Sequence, residues 1–288
     1  MSGWARPASH RRRMGRLALW AALACPACAT ASNYLDPDGP RYEARYGQPQ
    51  GQDPDLRVVT FNIENGRRIA EAVAGLRGHA ALRAPDLLLL QEMNAAGVEA
   101  IARELAMNAV YFPASRLGGR DLGNAVLSPW PIEASWKLLL PHTTRIVKKA
   151  RAAVAARVKV DGRAVIVYSV HLGSPLGLAG DKRREQAEAV LADAQRHPDD
   201  PVVVAGDFNS RAVGEVFERA GYAWPTKALG KTTAFLSIDH IFSRGLATRP
   251  EGAAGVAREV RDASDHRPVW AVLASPPPPA PGAGTEAP

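Results

Sequence analysis

Six apolar runs in this chain end in polar residues of the kinds that hold hard cations or move protons. Asn62 closes Val58-Val59-Thr60-Phe61, Gln91-Glu92 closes the run 86–90, and His171 closes Val167-Tyr168-Ser169-Val170. Asp207-Phe208-Asn209 closes 202–206, Asp239-His240 interrupts 238–242, and Ser264-Asp265-His266 stands just before the run 269–273. One carboxylate at a strand end is ordinarily a turn or helix cap. Six ends with the same habit instead describe strand termini converging at one sheet edge, where sites are built.

The chemistry of the set is specific. Glu92, Asp207, Asp239 and Asp265 are hard oxygen ligands or bases, and Asn62 and Asn209 add neutral oxygens. Such donors suit Mg²⁺, with Mn²⁺ as the substitute, whereas zinc would want more His and Cys. His171 and His266 are acid/base or phosphate-contacting groups. Together these are the parts for cation-assisted attack of water on a phosphate ester. A Gly-rich phosphate loop with its Lys is absent, which argues against an NTPase, and so is the Gly-x-Ser-x-Gly elbow of serine hydrolases.

Positioning these groups requires strands that end together. Strands are expected at 56–63, 86–90, 110–112, 125–127, 152–160, 164–170, 202–205, 237–242 and 269–273, with helices at 68–76, 97–106 and 183–196. Asp161-Gly162-Arg163 between two β-rich runs has the signature of a hairpin, so the sheets are mixed. Helices among such strands imply either a helix-sheet-sheet-helix stack or one covered sheet. Period 2 turns His240 away from Asp239. Lys148-Lys149 reads as a solvated loop.

The motifs then fall into a known order: Thr60-Phe61-Asn62-Ile63, Leu90-Gln91-Glu92, Gly123-Asn124-Ala125, Ser169-Val170-His171-Leu172, Gly206-Asp207-Phe208-Asn209, Ile238-Asp239-His240-Ile241 and Ser264-Asp265-His266-Arg267-Pro268. In this the chain resembles the endonuclease/exonuclease/phosphatase superfamily, which includes DNase I-like nucleases, neutral sphingomyelinases and inositol polyphosphate 5-phosphatases. The resemblance implies a DNase I-like, four-layered α/β/β/α sandwich with mixed sheets and a cleft at one edge. It implies that Glu92 holds the metal, helped by Asn62 and Asp265, and that Asp207 and Asn209 position water and a phosphate oxygen. It gives His266, oriented by Asp239, the part of general base or phosphate contact, and His171 that of phosphate contact or aid to the leaving group. Asn124 and Arg151 are expected on the substrate side. The substrate classes implied are nucleic acid and phospholipid or phosphosugar esters, and no apolar hairpin suited to entering lipid stands out. A noncatalytic phosphate-ligand-binding protein is the alternative, disfavoured because every motif residue is present.

The chain's 288 residues are 46% hydrophobic and 23% charged, which excludes a disordered or fibrous protein. Of its net charge of +7, five arginines in residues 1–28 supply +5, so the remainder does not argue for DNA. Those arginines precede a short apolar stretch and a small-residue exit, the pattern of an export signal over residues 1–31. Cleavage either leaves a lipidated Cys28 as a membrane tether or follows Ala29-Thr30-Ala31. Residues 32–55 are expected as an irregular tether, 56–274 as the folded domain and 275–288 as a disordered Pro-rich tail. A monomer, periplasmic, membrane-anchored or secreted, is expected.

Overall fold

The computed structural model describes residues 31–48, 55–249 and 253–274. Residues 1–30 of the expected export signal, with Cys28, and the Pro-rich tail lie outside the described residues. In chain order the elements are β1 (Ser32–Asn33), β2 (Tyr42–Arg45), β3 (Asp55–Asn62), α1 (Ile69–Gly78), β4 (Leu87–Met93) and α2 (Ala95–Glu104). There follow β5 (Asn108–Leu117), β6 (Arg120–Ser128), β7 (Ile132–Leu139), β8 (Ala152–Val160), β9 (Arg163–His171) and α3 (Gly180–Ala194). The last are β10 (Val202–Asp207), α4 (Gly214–Arg219), β11 (Asp239–Arg244), β12 (Ala247–Thr248), β13 (Ala254–Val256) and β14 (Val269–Ala274).

Two mixed sheets result. The first runs β1-β5-β6-β4-β3-β14-β12, with β2 also on β5 and β13 on β14; the second runs β11-β10-β9-β8-β7. β3 and β4 are parallel, as are β9 and β10. The strand interiors are unbroken apolar runs because both faces are buried. Along β3, Val58 faces the second sheet while Val59 faces the helices, and Leu87, Leu89 and Leu88, Leu90 divide in the same way along β4. On the far side, Ala153, Ala155, Ile166 and Val204 pack under Ala187 and Val190 of α3 and Phe217 of α4. Three apolar layers therefore separate helices, sheet, sheet and helices, which decides for the four-layered sandwich.

Residues 32–48 differ from the expected tether. β1 and β2 both pair antiparallel with β5, Tyr42 packs its ring against Tyr111, and Ala44 and Tyr46 cover the first core. Lys137 holds the intervening turn by donating to the carbonyls of Tyr34 (3.0 Å) and Gly39 (2.7 Å). Strands this short carry no readable period, so only the partner strand reveals them.

Candidate active site

Register brings the strand ends together. Asp207 at the end of β10 stands opposite His171 on β9 and Asp239 on β11, and Asn62 stands opposite Gln91 across β3 and β4. β9 and β10 approach so closely that a Cβ on Gly206 would lie 1.9 Å from the Val170 carbonyl oxygen, so only glycine fits before Asp207. Where the layer between the sheets reaches this edge it turns polar. Thr60 donates to Gln91 (3.2 Å), Gln91 to Ser169 Oγ (3.0 Å), and Ser169 to the Leu90 carbonyl (3.0 Å). These bonds tie the two sheets together beneath the cleft.

Each motif has a local physical reason. The register of β4 against β6 shifts between Leu90 and Met93, and Glu92 there takes a positive φ of 56°. Such a bulge re-aims a side chain; Gln91 enters the layer between the sheets, while Glu92 stays partly open, its Oε2 accepting from the Asn65 amide (3.2 Å). In Asp207-Phe208-Asn209, Phe208 is fully buried among the rings of Phe217 and Phe242. Asn209 adopts a φ of 52°, which asparagine tolerates, and its amide N–H donates to Asp207 Oδ1 (2.9 Å). Ser264 explains its place before Asp265: it donates to the Asn62 carbonyl (2.7 Å) and accepts the His266 amide (3.1 Å), fastening the last loop to β3.

The centre is a chain of buried ionisable groups. His266 Nδ1 lies 2.9 Å from Asp239 Oδ2, and its Nε2 is 3.8 Å from Asp207 Oδ2. Burial alone would lower the His266 pKa, but the charge and hydrogen bond of Asp239, reinforced by Asp207 and Asp265, carry it up to about 10. His266 is therefore a cation at neutral pH. Asp207 is pushed up to about 7 by burial first and by the Asp239 charge second; His266, the Asn209 amide and the Asn62 amide (3.0 Å) oppose this.

His171 is the opposite case. Burial, then the charges of Arg151, Lys149 and His266, hold its pKa well below 6.5. Arg151 Nη1 donates to His171 Nδ1 (3.1 Å), and a guanidinium cannot accept, so the single proton of this neutral ring is assigned to Nε2. That nitrogen faces Asp207 Oδ2 at 3.4 Å and Glu92 Oε1 at 4.0 Å.

All ten residues singled out in the sequence lie on this edge or in the shell beneath it, but not all are free for a ligand. Asn124 is buried and donates from Nδ2 to the carbonyls of Ala152 (2.8 Å) and Ser169 (3.1 Å), so its amide nitrogen braces the sheets instead of reaching substrate. Arg151 is likewise buried against His171. Lys149, expected in a solvated loop, lines a recess with Glu92, Arg151 and His171, and burial plus Arg151 lower its pKa to about 8. Thr232 was not foreseen. It donates to Asp239 Oδ2 (2.5 Å) and accepts the amides of Ile238 (3.1 Å) and Asp239 (3.3 Å). Nothing in the sequence marks a threonine seven residues before the aspartate it orients.

The donor set fits a hard divalent cation: the carboxylates of Glu92, Asp207, Asp239 and Asp265 gather at one edge, faced by the cations of Arg151, His266 and Lys149. Among the described residues, Asp207, Asp239 and His266 offer donor atoms within 4.8 Å of one another. Their atoms are already joined by hydrogen bonds: Asp239 to His266 and Thr232, Asp207 to Asn62 and Asn209. Glu92 and the exposed Asp265 are less committed: Glu92 accepts from the Asn65 amide, and Asp265 lies 3.3 Å from a Ser264 hydroxyl whose proton goes to the Asn62 carbonyl.

Residues 59–266 match the Endonuclease/Exonuclease/phosphatase family. The chain belongs to this family. It is 26% identical over 224 residues to tyrosyl-DNA phosphodiesterase 2 of Danio rerio, a match spanning 69% of this chain and 59% of that protein's own length. Among solved structures, an endonuclease/exonuclease/phosphatase from Beutenbergia cavernae superposes with a TM-score of 0.60 at 22% identity, covering 76% of this chain and 71% of the other. A mannosyl-6-phosphatase from Bacteroides thetaiotaomicron gives 0.58 at 18% identity, covering 76% and 99%. Members of the family act on phosphate esters, and the solved structures carry the same DNase I-like sandwich.

Proposed function

We propose that the protein is an exported, divalent-cation-dependent hydrolase of phosphodiester or phosphomonoester bonds. The observation that carries this is the Asp239–His266–Asp207 chain: a buried imidazolium beside a carboxylate whose pKa lies near neutrality. Water attacks phosphorus; as the new O–P bond forms and the bond to the leaving oxygen breaks, Asp207 takes the water's proton. A base with pKa near the working pH is well matched to that step. His266, held charged by Asp239, offers its Nε2–H to a nonbridging oxygen, where negative charge builds. This favours the phosphate-contact role over that of general base. Neutral His171 donates from Nε2 towards the same region, with Arg151 fixing its ring, and Asn209 holds Asp207 through its backbone amide.

Glu92 would hold the cation, with Asp265 and the Asn62 side chain beside it. Bound there, Mg²⁺ or Mn²⁺ supplies positive charge to the phosphate oxygens. Export is supported by the residues 1–31 pattern, with either a soluble monomer or a Cys28-lipidated form as product. Substrate candidates are nucleic acids, by analogy with the phosphodiesterase relative, and phospholipid or phosphosugar esters.

The test is hydrolysis of supercoiled plasmid and of a bis-aryl phosphate with Mg²⁺, with EDTA and with Asp207→Ala. Cleavage of either that disappears in both controls supports the reading; inactivity on both, together with tight binding of inorganic phosphate, returns the noncatalytic binding protein. Mass spectrometry of the mature N-terminus tests export and lipidation.

A further inference from the structure

Exposed large apolar side chains are few among the described residues, and four of them gather at the catalytic end. Ile146 (76% exposed), Leu176 (94%), Phe235 (80%) and Leu236 (49%) stand on three loops. The first loop, residues 140–151, joins β7 to β8. The second, 172–179, directly follows His171, and the third, 220–238, leads into Asp239. Because His171, Asp207 and Asp239 are in register, these loops leave the second sheet at the edge that carries the site and flank it from both sides.

The apolar tips are built into ordered turns. Ile146 lies in a turn closed by the Thr144 amide to the Lys149 carbonyl (3.0 Å) and by the Lys149 amide to Thr144 Oγ1 (2.9 Å). Leu176 lies in a turn closed by Leu178 onto the Ser174 carbonyl (2.8 Å), and Arg145 joins the two loops through the Gly177 carbonyl (2.9 Å). Phe235 is presented by a turn in which Thr233 Oγ1 accepts the amides of Phe235 and Leu236. The first and third loops are basic and the second carries no charge, although Lys227 is paired with Glu218 of α4 (2.7 Å). Residues 141–151, 172–180 and 225–238 contain Arg145, Lys148, Lys149, Arg151, Lys227 and Lys231 and no Asp or Glu. Arg145, Lys148 and Lys231 are exposed beside the tips.

We propose that this rim is a docking face for an anionic phospholipid bilayer, with the three turns entering the headgroup layer. Exposed apolar residues rimmed by cations have the chemistry of interfacial binding, in which apolar burial and attraction to anionic lipid add. Nucleic acid fits less well: the rim is basic, but Ile146, Leu176 and Leu236 are aliphatic and only Phe235 offers a ring for a base to stack on. Docking in this way places the cleft of Glu92, Asp207 and His266 against lipid headgroups.

Docking is measured without hydrolysis, so it stands or falls apart from the proposed activity. The full chain is mixed, in EDTA, with vesicles of phosphatidylcholine and with vesicles of equal parts phosphatidylcholine and phosphatidylglycerol, and the bound fraction is read by flotation. A fluorophore on the thiol of Leu176→Cys, in a background of Cys25→Ser and Cys28→Ser, reports whether the tip enters lipid however the rest of the chain is held. The expected result is a blue shift and protection from iodide on the anionic vesicles only. Replacing Ile146, Leu176 and Phe235 together by Ser is expected to weaken binding by about tenfold or more, with the melting temperature and hydrolysis of a soluble ester unchanged. A label that stays open to iodide on bound protein overturns the proposal. So does a serine variant that loses affinity for a single-stranded oligonucleotide but not for vesicles, which would assign the rim to nucleic acid.

Discussion

The two faces of β11 present two buried histidines of opposite character, His266 bonded to Asp239 on one and the strand's own His240 on the other. Asp239 points into the cleft, where it meets His266 at 2.9 Å and holds it charged, with a pKa up to about 10. His240, the next residue, points into the helix-side core between Trp224 (ring centroids 5.0 Å apart) and Phe208 (6.0 Å). Neither of its nitrogens makes a hydrogen bond of good geometry. Burial lowers its pKa to about 4; Asp239's charge and the Ser237 backbone oppose that, and Arg211's charge adds to it. The same carboxylate is adjacent to both, yet only the histidine that bonds to it keeps a proton. Burial decides for the neutral form unless a partner touches the ring.

The cleft side should be the more sensitive by far. Asp207→Ala removes the proposed proton acceptor and should lower kcat by about a thousandfold or more, read with a soluble ester at saturating Mg²⁺. A loss under tenfold would remove Asp207 from the chemistry. Asp239→Asn should cost roughly a hundredfold, and its pH profile is the sharper reading. Activity needs Asp207 deprotonated and His266 protonated, so kcat/KM should rise through about pH 7 and fall through about pH 10. Without the Asp239 charge the falling limb should move to lower pH by more than one unit. A limb that stays in place would mean that Asp239 does not set the charge of His266.

Thr232→Val is a gentler way to disturb the same pair. It removes the donor to Asp239 Oδ2 and leaves two backbone amides without their acceptor. The expected cost is about 1–3 kcal/mol of stability and roughly tenfold in kcat, with KM little changed. Loss of stability alone would limit Thr232 to holding the loop.

How much of this could be read from the sequence follows from how each group is placed. Asn62, Glu92, His171, Asp207 and Asp239 end or begin strands whose apolar interiors are buried on both faces, so both the strand and its polar end leave a mark. His266 is marked by the residues around it, because Ser264 must reach the Asn62 carbonyl. Thr232 and Lys149 act from loops without period, and only the folded chain brings them to Asp239 and Glu92. β7 was missed because it is an edge strand with mixed exposure. The apolar tips at Ile146, Leu176 and Phe235 were missed because each is a single residue in a polar turn, and only the fold brings their loops to one end of the second sheet.

The core face of β11 offers the smallest effect and the cleanest contrast. His240→Phe should leave kcat unchanged at neutral pH, since the ring lies across the sheet from the cleft. Its effect belongs to stability in acid. Between pH 6.5 and about 4 the unfolded chain binds a proton at this histidine that the folded protein excludes. The native state therefore loses stability as pH falls through that window, by at most about 3 kcal/mol, and the loss stops growing below pH 4. Phenylalanine does not titrate and fills the same aromatic slot without ring nitrogens. The melting temperature of the variant should exceed that of the wild type by a few degrees more at pH 4.5 than at pH 7. Asp207 and His266 titrate in both proteins and cancel in that difference. A gap that does not widen in acid would mean that His240 finds a proton partner in the folded core, and that the two faces of β11 are less different than their geometry makes them.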